Sequence, residues 1–325
     1  MTKTRDNNML YNRVGNSGLK LPAISLGMWH NFGKDDDLSK QLDLLTTAFD
    51  LGITHFDLAD NYGGGFAEVN IGGFLKNEFK THRDELIISS KAGHQMWDGP
   101  YGDWGSRKHL IAGIDQSLKR LQLDYVDIFY HHRPDPETPA EETARALTDI
   151  IRQGKALYIG ISNYYGAPSR NMIQLLKQEG VPCLINQLPF NMFDQNAADS
   201  GEFHGLEKDG LGCITFSPLA QGLLSGRYLN GIPEGSRAAT DGTCLESERI
   251  TPELLKKVGA LNAIAEERRQ SLAQMALCWN LDFSPVASVL IGASRPEQIK
   301  ENVQALENPS FTNEEMQQIT DALNA

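Results

Sequence analysis

The chain has 325 residues, 40% hydrophobic and 22% charged, too apolar for a disordered segment and too poor in Gly and Pro for a fibre. Acidic residues outnumber basic ones by 42 to 30, a formal charge of −12, and no basic stripe offers the phosphate-neutralising surface that a sequence-independent grip on nucleic acid needs. No apolar run reaches the roughly 18 residues of a membrane span, so neither nucleic acid nor membrane is an expected partner.

Residues 1–9 begin the chain as a polar stretch without the apolar centre of a secretory signal; this segment is expected to be flexible, and the protein cytoplasmic. Short apolar, β-branched runs then follow at 24–26, 54–58, 86–90, 125–130, 157–161, 183–186, 213–216 and 288–291, which read as eight strands. Helical patterns separate them. Leu110, Ile114, Leu118 and Leu121 fall on one helical face, and Ala144, Leu147 and Ile151 do the same in the next unit. Thr138-Pro139-Ala140-Glu141 reads as an N-cap with Pro at the first helical position and a capping-box Glu, and Thr312 with Glu315 repeats the box near the C-terminus. The 229–249 stretch, rich in Gly, Ser, Thr and charge, reads as a long functional or disordered loop. Cys183, Cys213, Cys244 and Cys278 show no CxxC spacing and are expected to be reduced thiols.

Strands alternating with helices imply an α/β fold with a parallel sheet. A doubly wound sheet also fits the alternation, but eight units with no linker favour one closed (β/α)8 TIM barrel with functional C-terminal loops, a single domain over 10–325. A Rossmann fingerprint is absent, since Leu26-Gly27-Met28-Trp29-His30 follows the first strand. No Walker sequence, H-E-x-x-H or G-x-S-x-G occurs. Those absences remove support for P-loop, zincin and α/β-hydrolase chemistry.

In such a barrel the site forms where strands end. The second strand runs into Asp57, Ala59, Asp60, Asn61 and Tyr62, the third into Lys91, and the fourth into His131-His132-Arg133. The fifth runs into Ser162-Asn163, the sixth into Asn186-Gln187, and the seventh into Phe216-Ser217-Pro218-Leu219-Ala220-Gln221. Singly, each has a plainer reading: Asp57 as a helix cap, Lys91 as a solvated charge, His132 as a structural hydrogen-bonder, Phe216 as core. Together they make a site. A metal-dependent hydrolase built on His55, Asp57 and His131 or His132 stays open as an alternative, on weak ligand spacing.

The set Asp57-x4-Tyr62, Lys91 and His132 resembles the aldo-keto reductase family. The similarity runs from Leu19-x-Leu21-Pro22 to Ile291-Gly292-Ala293-Ser294-Arg295-Pro296, through Ser117-Leu118-Lys119-Arg120-Leu121 and Gly160-Ile161-Ser162-Asn163. It implies a (β/α)8 barrel that binds NADP(H) extended, without a Rossmann domain. It implies Tyr62 as general acid, Lys91 beside it, Asp57 as the counter-charge of Lys91, and His132 orienting the substrate carbonyl. The chemistry permits each role: a tyrosine hydroxyl is a poor acid near neutrality unless its anion is stabilised, and an ammonium does that. His131 is then a packing residue.

The resemblance further places Ser162, Asn163 and Gln187 at the nicotinamide carboxamide, with Phe216 stacking on its ring. Trp29, Asp57, Ser217, Pro218, Leu219, Ala220, Gln221, Arg227 and Arg237 join the cofactor site, the last two over the pyrophosphate. Gly292, Ser294, Arg295, Gln298, Glu301 and Asn302 fall at the adenosine end. Arg295, at a helix N-terminus opened by Pro296, suits a 2′-phosphate, so NADP(H) is expected over NAD(H).

Trp29, Tyr62, Trp97, Tyr101 and His132 are expected to line the substrate pocket, with Arg107, Lys108 and Arg133 as candidate phosphate partners; the plainer readings are a covered barrel rim for the tryptophans and ordinary surface positions at a helix start for Arg107 and Lys108. Trp29-His30-Asn31-Phe32-Gly33 and Trp97-x-Gly99-Pro100-Tyr101-Gly102 resemble the branch of bacterial glyceraldehyde 3-phosphate reductases and potassium-channel β-subunit-like proteins. The expected function is NADPH-dependent reduction of small aldehydes such as methylglyoxal or glyceraldehyde 3-phosphate, in a possible homo-oligomer. The alternative is a channel β-like regulatory subunit with slow turnover; His132 speaks against it, since those relatives carry Asn there. Leu58 departs from the family's usual Thr after the catalytic Asp, and the Gly63-Gly64-Gly65 loop is compact. No metal is expected.

Overall fold

The computed structural model describes residues 9–234, 236–239, 245 and 247–325. Eight parallel strands close into a barrel in the order β10-β3-β4-β5-β6-β7-β8-β9. They are β3 (Ile24–Gly27), β4 (His55–Asp57), β5 (Ile87–Ala92), β6 (Val126–His131), β7 (Ala156–Ser162), β8 (Ile185–Pro189), β9 (Gly212–Phe216) and β10 (Val286–Ile291). Around them lie α1 (Leu38–Asp50), α2 (Phe66–Lys76), α3 (Arg107–Leu121), α4 (Ala140–Arg152), α5 (Gly166–Gln178), α6 (Asn196–Asp199), α7 (Glu202–Asp209), α8 (Pro252–Glu267), α9 (Leu272–Leu281), α10 (Pro296–Gln304) and α11 (Asn313–Asn324). The expected (β/α)8 barrel is the fold.

The strands read as continuous apolar runs because helices cover one face and the barrel interior the other; every residue of β6 and β10 is buried. Outward residues such as Phe56, Ile88, Phe129 and Ile159 join one large core with the helices. Inward residues Ile128, Tyr130, Ile185, Ile214 and Leu290 fill the lower barrel. Gly160 is required there, since a Cβ would stand 2.4 Å from the Tyr130 ring. The barrel is therefore a packed plug under a polar mouth.

A hairpin of β1 (Tyr11–Arg13) and β2 (Lys20–Pro22), not foreseen from the sequence, inserts Val14 and Leu21 into that lower core. Its strands are too short and polar to register as apolar runs. At the sixth barrel strand, Cys183 and Leu184 lie before the ladder, which begins at Ile185. The α4 cap also differs from expectation: the helix starts at Ala140 with no side-chain cap. Thr138 is turned back instead, because Asp135 Oδ1 accepts from the N–H groups of Glu137 and Thr138 (2.8 and 3.0 Å). The Thr312–Glu315 capping box is present.

Part of the 229–249 stretch lies outside the described residues, Cys244 included, as do residues 1–8. Cys183, Cys213 and Cys278 are buried free thiols. No helix among the described residues is long and apolar enough to cross a membrane.

Candidate active site

Asp57 closes β4 and Lys91 lies one residue short of the end of β5, in register positions that aim both into the barrel. Lys91 Nζ donates to Asp57 Oδ2 at 2.5 Å and to the Leu58 carbonyl at 2.7 Å, and neither charged side chain is exposed. The same ammonium lies 3.3 Å from Tyr62 Oη and 4.9 Å from its ring centre. Tyr62 is delivered by the turn after β4, where Gly63, Gly64 and Gly65 all hold left-handed backbone (φ 57°, 65° and 94°). A Cβ at Gly63 would come within 2.9 Å of Gly33 Cα, so this run is a built turn rather than slack loop. His132 follows β6 and meets Tyr62 edge-on, ring centres 6.0 Å apart. The four residues expected to act together are thus assembled at one barrel mouth.

Burial raises the Tyr62 hydroxyl above its ordinary value of 10, and Lys91 only moderates that rise. The ammonium acts in the expected direction, but desolvation of the phenolate is the larger effect. For Lys91, burial favours the neutral amine, but Asp57 and then Tyr62 outweigh it, and the net direction is upward. Burial first, then Lys91, takes His132 well below 6.5, so it sits as a neutral imidazole whose Nδ1 is buried without a hydrogen-bond partner. His131 points the other way, Nδ1 at 2.6 Å from Tyr164 Oη, in a packing position where burial lowers it to about 3.

Around the mouth, Gln187 Nε2 donates to Asp57 Oδ1 (3.2 Å). Ser162 Oγ donates to the Gln187 carbonyl (3.0 Å) and Asn163 Nδ2 to the His132 carbonyl (3.0 Å), tying the three expected carboxamide residues to Asp57 and His132. Phe216 ends β9, half-buried. In the segment after it, Ser217, Ala220 and Gln221 have positive φ (56°, 47° and 59°), a strain of the sort kept at ligand sites. Gln221 Nε2 donates to Ser217 Oγ (3.2 Å); Pro218 and Leu219 complete this segment.

After β10, Gly292, Ser294 and Arg295 are exposed. Ser294 donates to Gln298 Oε1 through N–H (2.8 Å) and Oγ (3.2 Å), Arg295 precedes α10 with Pro296 at its first position, Glu301 is exposed and Asn302 buried. Arg227 is exposed. Arg237 opens a short turn, but its side chain lies outside the description.

The substrate-side candidates make the following contacts. Arg107 pairs with Asp149 of α4 (2.6 Å), Lys108 covers the Tyr101 ring, and Trp97 packs on His109 (5.1 Å). Trp29 and Tyr101 stand about half exposed. Arg133 is held by the Gly93 carbonyl and Asp103 (2.9 and 2.7 Å) and stacks on Trp104 (3.6 Å). His94, which the sequence reading passed over, meets His132 edge to face at 4.4 Å. Its signal was position: it stands three residues beyond Lys91 in the loop that follows that strand. His55 lies inside the barrel between two serines, and no group of three potential metal ligands comes together among the described residues.

The model of the aldo/keto reductase family matches residues 23–324. The chain belongs to the aldo/keto reductase family. It is therefore an oxidoreductase. It is 53% identical over 318 residues to an Escherichia coli protein named L-glyceraldehyde 3-phosphate reductase, covering 96% of this chain and 91% of that one. It is 37% identical to a probable voltage-gated potassium channel subunit beta of Arabidopsis thaliana, with 92% of each covered. A solved aldo-keto reductase of Bacillus halodurans, in its holo form, superposes with a TM-score of 0.79 at 26% identity, covering 97% of this chain and 96% of that one. A thermostable aldo-keto reductase solved with the inhibitor epalrestat gives 0.76 at 29%, covering 97% and 100%.

Proposed function

We propose that this aldo/keto reductase uses NADPH to reduce small aldehydes to alcohols, with glyceraldehyde 3-phosphate and methylglyoxal as leading substrates. The observation that carries the reading is the buried Asp57–Lys91–Tyr62 chain beside neutral His132 at the barrel mouth. The phosphorylated substrate is suggested by the name of the E. coli relative.

The donor set suits the cofactor. Amide and hydroxyl groups of Ser162, Asn163 and Gln187 are linked to Asp57 and His132, the half-buried Phe216 ring offers a stacking face, and the strained 217–221 segment follows it. Exposed Arg295, immediately before Pro296 of α10, offers a guanidinium at a helix N-terminus that carries no side-chain cap. When bound, NADPH supplies hydride to the carbonyl carbon.

The chain's own residues handle the oxygen. Tyr62 carries its proton at neutral pH, because its pKa is raised, and gives it to the oxygen as charge develops there. Lys91 stabilises the phenolate left behind, and Asp57 keeps Lys91 charged in an enclosed site. His132, neutral, donates a hydrogen bond that orients the carbonyl. Arg133, in the loop after β6, is our candidate for a substrate phosphate, since Arg107 is paired with Asp149 of α4.

We place the enzyme in the cytoplasm as one domain over 10–325, which unpaired Cys183, Cys213 and Cys278 support. The test is NADPH consumption with an aldehyde panel, on the native enzyme and on Tyr62→Phe. Turnover by the native enzyme and its loss in the variant are expected; full activity of Tyr62→Phe overturns the acid, and tight NADPH binding with no turnover overturns the enzymatic reading in favour of a regulatory subunit.

A further inference from the structure

Beneath the acid, inside the barrel, lies a second line of polar side chains to which the reaction as drawn gives no work. His55, fully buried on β4, has Nε2 at 2.9 Å from Ser89 Oγ and Nδ1 at 2.9 Å from Ser25 Oγ. Ser25 Oγ is 2.6 Å from Ser288 Oγ, and Ser89 Oγ is 2.6 Å from Asp57 Oδ1. All five residues are wholly buried, and they come from β10, β3, β4 and β5, so the line runs over four neighbouring strands of the barrel.

Counting donors fixes the direction of every bond. A carboxylate only accepts, and a serine has a single O–H. Ser89 spends its hydrogen on Asp57, so its oxygen must accept from His55, and Nε2 carries the imidazole hydrogen. A neutral ring has one N–H, which leaves Nδ1 to accept from Ser25. The Ser25 hydrogen is then spent, and the remaining bond must run from Ser288 to Ser25. Burial, which takes His55 down to about 4, keeps the ring neutral near pH 7.

We infer that Ser288, Ser25, His55 and Ser89 form a one-way chain of hydrogen bonds ending on Asp57, with His55 locked as the Nε2–H tautomer, and that His55 and Ser89 are thereby positioning residues for the Asp57–Lys91–Tyr62 acid. The catalytic part of this inference rests on the reading of Tyr62 as the acid; the tautomer does not. Asp57 Oδ1 is held by Ser89 and Gln187 while Oδ2 takes Lys91, so the plane of the carboxylate, and with it the place of the ammonium under Tyr62, is set from below. Aligned bonds polarise one another in a low-dielectric interior. No proton travels along the chain. The ionisable groups facing Asp57 are Lys91 from β5, Tyr62 from the turn after β4, Tyr130 from β6 and His55 on its own strand; Gln187 of β8 is uncharged.

The experiment is nitrogen NMR of the full-length protein labelled in histidine, the His55 signals assigned by their loss in His55→Gln. The expected result is a single Nε2–H tautomer that does not titrate between about pH 6 and 9; an Nδ1–H ring or an imidazolium overturns the inference. Ser89→Ala removes the acceptor of Nε2–H, and the same spectrum is expected to show mixed tautomers. In that variant kcat for the aldehyde is expected to fall roughly fivefold, the worth of one hydrogen bond, with the KM for aldehyde and for NADPH within about twofold. A Ser89→Ala enzyme with unchanged tautomer and unchanged kcat overturns the inference. If no aldehyde is turned over by the native enzyme, the functional reading fails, and the tautomer spectra alone decide the chain.

Discussion

Lys91 Nζ and Asp57 Oδ2 stand 2.5 Å apart with both side chains wholly buried. Removing one partner of such a pair leaves the other charge uncompensated, at a cost of about 3–5 kcal/mol, whereas replacing both is far better tolerated. Lys91→Met is therefore expected to lower stability markedly in urea unfolding, and Asp57→Asn in the Lys91→Met background to recover much of the loss. Both variants are expected to lose activity by about a hundredfold or more. Equal destabilisation in the single and double variants would show that the pair contributes through packing instead of charge.

The pH dependence of the rate follows from the directions at the mouth. Tyr62 is raised above 10, chiefly by burial, so the acid stays loaded through the physiological range and empties only in strong alkali. His132 is pushed well below 6.5, by burial and then Lys91, so it adds no titration near its ordinary value. Log kcat is expected to be flat from about pH 6.5 to 9 and to fall above about 10. A steep change centred near 6.5 would show an imidazolium at work and sink the neutral His132.

Acid stability turns on histidines that must stay neutral. His131 has its folded pKa depressed to about 3 and His55 to about 4, both by burial, against about 6.5 in the unfolded chain. Between those values the unfolded state binds more protons, so the stabilisation is full above about 6.5 and drains away as pH falls toward 4 and 3. Each histidine is expected to contribute a slope of about 1.4 kcal/mol per pH unit in that window. Urea unfolding at a series of pH values checks this, and His131→Asn is expected to remove one such slope; an unchanged slope contradicts a buried neutral His131.

The barrel was legible because its strands are covered on both faces and so read as unbroken β-branched runs, as in 125–130 and 288–291. The site was legible because Asp57, Lys91 and His132 sit at strand ends, where polar groups are out of place unless a mouth lies there. What was less legible was whatever depends on direction. For Arg107 both a substrate-side and a surface reading were open, and its guanidinium reaches Asp149 on the helical layer; spacing alone does not say to which side a first-turn residue leans. Ser25, His55, Ser89 and Ser288 interrupt apolar strands singly, and only closure of the barrel makes them neighbours. Thr138 satisfied a capping pattern, but Asp135 competes for it three residues earlier.

His94 stands edge to face with His132 at 4.4 Å and remains partly open to the mouth. Its ring contact is with His132, so its effect should fall on how an aldehyde sits against that residue. His94→Ala is expected to raise the KM for aldehyde several-fold, roughly 1 kcal/mol of lost contact, while leaving the KM for NADPH unchanged. Steady-state kinetics with each substrate varied in turn checks it, and a change confined to NADPH would place His94 elsewhere.

The proposed preference for NADPH over NADH rests on Arg295. It is exposed immediately before α10, whose first residue is Pro296, and the neighbouring Ser294 is already committed to Gln298. A guanidinium placed there can take a 2′-phosphate with charge-assisted bonds of about 1.5–3 kcal/mol, and it has nothing comparable to gain from a 2′-hydroxyl. Arg295→Ala is thus expected to raise the KM for NADPH by about tenfold or more and to leave that for NADH nearly unchanged. The parallel loss of both would mean that Arg295 supports the fold of this corner and does not read the phosphate. Raising ionic strength should weaken NADPH binding in the native enzyme more than in the variant, because an exposed charge pair is screened by salt.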